Sequence, residues 1–288
     1  MHITIFAPNF HIPRIRSCSL GFAPATFLCY AKAEMCTVTL LRRPGHRWPV
    51  LIAANRDEML DRPWDPPGPH WSDRPDVVAG RDRLAGGTWL GCNATGVTAA
   101  VLNREGSLGP ADDKRSRGEL VLDALDYADA RDAAEALSAL DPAAYRSFNL
   151  VIADNQDAFW LSGRDSARSV DVTTLPAGIS MLTSADLNDT THGRIATYLP
   201  QFEAAAIPDP DTGDWAAWTK ILQDPYGAPG HGTSGAMCIV TDYGYGTVSS
   251  SLIALASPEA VSEKVENIWL FAAGRPDTAP FERVPLPI

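Results

Sequence analysis

The sequence predicts a layered α+β fold, rich in antiparallel strands and carrying helices on the outside. Short β-rich runs separated by glycine turns fill the stretch from Cys36 to Leu102. Two helix-period segments follow between 116 and 140, after which strand runs return. There is no internal repeat, and no linker is long enough to mark a second domain, so residues 35–288 read as one domain.

The elements follow in order. Cys36–Leu41 is a β-rich run, and Arg42–Gly45 makes a turn into a second strand from Trp48 to Ala54. Asn55-Arg56-Asp57-Glu58 stands at the end of that strand. Residues 61–75 hold five prolines and read as an irregular, rigid loop. Val77–Gly80, Gly86–Gly91 and Gly96–Leu102 are short strands with glycine turns. Ser116, with Glu119 three positions on, is a candidate helix cap. Helices on either side of Tyr127–Asp129 follow from the spacing of Leu120, Leu122 and Leu125, then of Ala133, Leu137 and Leu140. Strands are expected at 148–154, 158–162 and 178–182, and helices at 190–205 and 215–223. A final hairpin pairs 236–242 with 246–256 through Tyr243-Gly244-Tyr245, and a last strand covers 268–272.

Composition narrows the function. Asp and Glu total 35 against 24 Lys and Arg, a formal charge of −11. No broad basic cluster for nucleic acid is evident, and an anionic membrane is a poor partner. No run reaches the roughly 18 apolar residues of a membrane span. The five cysteines, at 18, 29, 36, 92 and 238, are too scattered for a disulfide scaffold, and no C-x-x-C pair suggests zinc. Residues 1–34 differ from the rest: they carry three basic residues and one acidic one, and Pro8, Pro13 and Pro24 interrupt any period. They could be a signal peptide ending near Ala33, a packed arm, or a segment left out by translation from Met35. The last is preferred because a clean strand starts there, which makes the expected location cytoplasmic.

Several residues could carry chemistry. If the chain matures by loss of Met35, Cys36 offers a thiol nucleophile and its own α-amine as base. A strand-borne Cys can equally be core. In the Asn55–Glu58 word, Arg56 and Glu58 would share one strand face, and Asn55 and Asp57 the other. A carboxylate there could hold an α-ammonium, and Arg56 could grip an anion in a fork. Alternatively, these residues build a turn. Gly86-Gly87-Thr88-Trp89 could bring backbone and an aromatic wall to a ligand, or simply lead into a packed strand. Asn103 could donate to an oxyanion. His192 and His231 read as surface histidines. Ser107, Ser184 and Ser234 lack the G-x-S-x-G elbow of a serine hydrolase.

From Met35 onward the chain resembles the family named after its Asn-Arg-Asp-Glu motif, which includes the transport and Golgi organisation protein 2 homologues. The words that carry the resemblance are Met35-Cys36-Thr37, Ala53–Glu58, Arg62-Pro63, Gly80-Arg81-Asp82, Gly86–Gly91, Leu102-Asn103-Arg104, Phe148-Asn149-Leu150 and Tyr245-Gly246-Thr247. That family is similar in turn to N-terminal nucleophile hydrolases of the penicillin acylase and bile-salt hydrolase type. The resemblance implies a four-layer α/β/β/α sandwich and an amidohydrolase-like site acting on a linear amide or related acyl bond. In it, Cys36 is the nucleophile, Asp57 contacts its amine, Arg56 aids the thiolate and Asn103 serves the oxyanion. No metal or organic cofactor is required. A second Asn is expected after Leu182-Thr183, where Ser184 stands and Asn188 is displaced; an Arg is expected after Thr247, where Val248 stands. The alternative is a carrier or chaperone for haem or an acyl ligand, with Asn55, Glu58, Trp89, Arg104 and Ser184 in its pocket. Relatives are linked to secretory-pathway organisation, lipid homeostasis and haem transfer, which names no single activity.

Overall fold

A computed structural model describes residues 36–107, 109–227 and 235–287. The expectations for residues 1–34, the start at Met35, and His231 and Ser234 lie outside the described residues. Two antiparallel sheets stack face to face. The first has the order β10-β1-β2-β11-β12-β13, built from β1 (Thr37–Arg42), β2 (Val50–Met59), β10 (Gly178–Leu182), β11 (Tyr245–Leu255), β12 (Ile268–Ala272) and β13 (Glu282–Arg283). The second runs in sequence order: β3 (Trp64–Gly68), β4 (Val77–Asp82), β5 (Leu90–Asn93), β6 (Thr98–Asn103), β7 (Phe148–Ala153), β8 (Ala158–Gly163) and β9 (Asp171–Thr174).

Helices cover both outer faces. On the second sheet lie α1 (Gly118–Leu125) and α2 (Ala130–Ser138); on the first lie α3 (Gly193–Ala204) and α4 (Ala216–Leu222). The short α5 (Pro258–Ser262) follows β11. The four layers explain why β2 begins with the continuous apolar run Val50–Ala54. Val50, Ile52 and Ala54 enter the core between the sheets, while Leu51 and Ala53 enter the core under α3 and α4. A strand covered on both faces has no solvent side on which to place polar residues. No helix among the described residues is long and apolar enough to cross a membrane.

Four local expectations need correction. Asn55–Glu58 does not follow the second strand but lies within it, because β11 pairs with β2 as far as Met59. The proline-rich stretch expected to be loop contains β3, whose register slips between Asp65 and Gly68 at Pro66-Pro67. An edge strand tolerates prolines because one row of its N–H groups has no ladder partner to lose. The final hairpin is absent: β11 is sandwiched between β2 and β12, and of residues 236–242 only Val240 makes a bridge, to Gly246. Ser116 does not cap a helix through Glu119; its Oγ accepts from Gly118 N instead, and Arg117 is the residue at the α1 N-cap.

Candidate functional site

The site is organised by the pairing of β1 with β2. Thr37 lies opposite Asn55, so the register brings Cys36 across from Arg56, both facing the space between the sheets. The Cys36 thiol donates to the backbone carbonyl of Asp57 at 3.7 Å. Burial lifts this thiol to about 11, and the nearby Asp57 charge adds to the rise, while Arg56 opposes it. At neutral pH the sulfur therefore keeps its proton unless a base is beside it.

Alternation along β2 then divides the four-residue word. Asn55 and Asp57 point to the helical face. The Asn55 amide donates to the carbonyls of Leu222 (3.0 Å) and Met237 (2.9 Å), and its oxygen accepts from Ser250 Oγ at 2.6 Å. The Asp57 carboxylate accepts from Arg194 Nη1 at 2.9 Å and Thr247 Oγ1 at 2.6 Å. Arg194, fully buried in the first turn of α3, also donates to Thr37 Oγ1 at 2.8 Å. One guanidinium thus ties α3 to the starts of β1 and of the polar half of β2. Burial pushes the Asp57 carboxyl above the usual range, and Arg194 and Thr247 pull it back. A bulge in β11 between Thr247 and Ser249 lies beside Asp57 and Arg56, where an extra residue re-aims the side chains.

Arg56 and Glu58 point the other way, into a cavity of about 290 Å³. The Arg56 guanidinium stacks 4.2 Å over the Trp89 ring, and its Nη2 stands 3.8 Å from both Glu58 and Asp82. Asp82 is held in turn by Arg62 Nε at 2.7 Å. Gly80 makes room for this stack: a Cβ there would sit 2.3 Å from the Trp89 ring. The opposite wall carries Asn103, the loop from Gly109 to Gly118, and Arg146. Gly87 and Gly118 let that loop dock, since a Cβ on Gly87 would meet the Gly118 carbonyl carbon at 2.6 Å. Among the described residues Arg117 hydrogen-bonds to neutral acceptors, the Ser107 carbonyl and hydroxyl and the Ser147 carbonyl. Burial pulls it down to about 10, with Arg146 adding to the fall.

Of the residues singled out from sequence, Cys36, Arg56, Asp57, Glu58, Trp89 and Asn103 line this cavity. Asn55, Arg104 and Ser184 do not belong to its lining, and three packing reasons account for this. The Asn55 amide is spent on the helical side. Arg104 turns away to Asn149, Ser162 and Asp186. The backbone on either side of Ser184 is pinned by the Asn149 amide, which donates to Thr183 O and Ala185 O. The displaced Asn188 caps the backbone N–H of Met181, and Val248 is buried at the bulge. Sequence reading missed Arg194, Thr247, Arg62, Asp82 and the cationic loop. The run Lys114-Arg115-Ser116-Arg117 was the available signal, a basic cluster in an acidic chain, and it lines a concavity. Among the described residues, no group of three or more His, Cys, Asp or Glu side chains stands together to hold a metal.

Comparison with known proteins gives the family and the fold. The family model described as Transport and Golgi organisation 2 matches residues 35–263. The Transport and Golgi organization 2 homolog of Mus musculus is 37% identical over 90 residues, 27% of this chain and 31% of the relative. The Homo sapiens homolog is 35% identical over 117 residues, 36% of this chain and 38% of the relative. The chain thus spans about a third of the length of the curated relatives it matches. Among solved structures, the Caenorhabditis elegans ortholog of N-acylethanolamine-hydrolyzing acid amidase superposes with a TM-score of 0.51 at 13% identity, covering 87% of this chain and all of that one. At that identity the likeness establishes the fold: two antiparallel sheets flanked by helices, the αββα sandwich of the N-terminal nucleophile hydrolase type.

Proposed function

The chain belongs to the Transport and Golgi organisation 2 family, and from its cavity we propose an N-terminal-cysteine amidohydrolase-like activity on a linear amide or related acyl bond. The observation that carries the reading is the placement of Cys36. Its thiol lines the cavity, directly across the strand pair from Arg56, with Asn103 also in the lining. The fold shared with an acid amidase supports an amide as the substrate class.

The chemistry follows from the thiol's environment. A thiol lifted to about 11 needs a base. In a chain beginning at Cys36 the α-amine, ordinarily near ~7.7–8.0, is that base on the same residue. The amine takes the thiol proton, and the sulfur attacks the acyl carbon. The carbonyl π pair moves to oxygen, where the Asn103 amide stabilises it. Collapse re-forms the carbonyl and breaks the C–N bond, and the leaving amine takes the proton from the ammonium. Water then cleaves the thioester, releasing a carboxylic acid and restoring the thiol. Neither metal nor organic cofactor enters these steps.

Intact mass and N-terminal sequencing of protein made from the native gene test the premise: a chain starting at Cys36 is expected, and retained Met1 would sink the reading. On that protein, Cys36→Ala should abolish formation of a mass-shifted acyl-enzyme, and Cys36→Ser should keep the fold but turn over slowly. Turnover by Cys36→Ala at the parent rate would remove the nucleophile assignment. The carrier reading, for haem or an acyl ligand, draws on one observation: Arg117 lines the cavity with hydrogen bonds to neutral partners among the described residues. A carrier would keep its affinity in Cys36→Ala while showing no turnover in either form.

A further inference from the structure

Arg56 holds a hydrogen-bond donor that the fold does not use. Its side chain is only 5% exposed, yet Nη1 has no hydrogen-bond partner among the described residues. Such buried, unsatisfied polar groups are few in native structures and call for an explanation. The guanidinium is also not free to turn elsewhere. Trp89 supports its face at 4.2 Å, and Glu58 and Asp82 hold the Nη2 end. It borders both the main cavity and the narrower recess that Cys36, Trp89 and Leu102 enclose.

Two observations argue that a diffuse charge effect on the thiol is not this residue's main work. Two carboxylates, Glu58 and Asp82, stand 3.8 Å from Nη2 and offset its field. The thiol stays near 11 despite Arg56, because burial and Asp57 outweigh it. A directional donor is unaffected by that offset, since its N–H bonds point at one place. The segment after Leu182-Thr183 does not supply such a donor: Ser184 does not line the cavity, and the backbone on either side of it is pinned by Asn149.

We propose that Arg56 is a second oxyanion donor, its Nη1 hydrogen-bonding the acyl oxygen as Cys36 attacks, in partnership with Asn103. This rests on the amidohydrolase reading and assigns Arg56 a catalytic role different from thiolate activation. The planar, stacked guanidinium suits it, because a donor fixed before the reaction needs no reorganisation when charge develops.

The test compares parent, Arg56→Lys and Arg56→Met, each with its N-terminus verified as Cys36, on a fluorogenic N-acyl aminocoumarin. Arg56→Lys keeps a charge but not a stacked planar donor. It should lose about 10²–10³ in kcat with KM changed little, while the pH profile of thiol alkylation by iodoacetamide stays at the parent position. A substrate-side measurement guards against misfolding. The rate ratio between an acyl ester and its thionoester, which accepts hydrogen bonds poorly at sulfur, is internal to each variant. It should be large in the parent and shrink towards unity in both variants. Parent-like kcat in Arg56→Lys, an unchanged ester ratio, or a rate loss that tracks a shifted alkylation profile would each overturn the donor role while leaving hydrolysis intact. A parent that is correctly processed yet neither hydrolyses nor is acylated removes both readings together.

Discussion

The two faces of β2 make opposite use of the same four-residue word. On the helical face both side chains of the word have hydrogen-bond partners: Asn55 two carbonyls and Ser250, and Asp57 Arg194 and Thr247. On the cavity face Arg56 keeps a buried nitrogen with no partner among the described residues, and the carboxylates of Glu58 and Asp82 sit 3.8 Å from its other nitrogen rather than in hydrogen-bond contact. A buried hydrogen-bonded network fixes structure, because removing any member strands the others. An unsaturated buried group is tolerated where a ligand is expected to complete it. The contrast therefore assigns Asn55 and the Asp57 carboxylate to holding β2 against α3 and α4, and Arg56 and Glu58 to the cavity.

The largest expected effect breaks the helical face. Asp57→Ala removes one member of the fully buried Asp57–Arg194 pair, and breaking a buried pair in this way costs about 3–5 kcal/mol. Thermal unfolding should fall by roughly 10 °C, and a variant melting within a degree or two of the parent would mean the pair is not structural. Asn55→Ala comes next. It strands the Leu222 and Met237 carbonyls and Ser250 and should cost about 1–3 kcal/mol by denaturant unfolding. Arg56→Met, on the other face, should cost about 2 kcal/mol, the scale of a desolvated cation–π contact such as its own with Trp89. An Arg56→Met loss as large as that of Asp57→Ala would erase the distinction between the faces.

The smallest effect sharpens the contrast with a cluster whose arginines are exposed. At the β3 edge, Asp65 is bonded by Arg83 and Arg81, which hold its carboxyl down to about 2. A carboxyl depressed below its unfolded value of ~3.9 adds stability above that value and loses it as pH falls through about 2. Asp65→Asn should therefore flatten the acid limb of a melting-temperature profile between about pH 4 and 2. Added salt should shrink this difference, because Arg81 and Arg83 are exposed and screened, yet leave the Asp57–Arg194 loss largely intact.

Much of the site was legible before the fold was known. The alternation rule correctly paired Arg56 with Glu58 and Asn55 with Asp57. What it could not read was length, since the apolar run stops at Ala54 whereas the strand continues to Met59. Polar residues in the second half of a strand look like its end unless their buried partners are known. Thr247 lies 190 residues from Asp57 and Arg194 lies 137 away, so no local window holds the network. The same limit explains the hairpin error. The 246–256 run was correctly expected as a strand, seen here at Tyr245–Leu255, but its partners, β2 and β12, are chosen by the sheet rather than by the adjacent sequence.

Sequence by itself determined which segments are apolar, where the glycines and prolines interrupt them, and that Cys36, Arg56 and Asn103 fall at strand ends or within polar words. These are local properties, governed by side-chain period and backbone preference. Only the tertiary structure decided which polar groups find partners. Arg104 and Arg56 stand in equally suggestive words, yet one is consumed by Asn149, Ser162 and Asp186 and the other keeps a donor at the cavity. The basic run at 114–117 likewise becomes a cavity wall only because Gly87 and Gly118 let two backbones approach. A hydrogen bond is satisfied by whatever lies within about 3 Å in space, and separation along the chain carries no information about that distance.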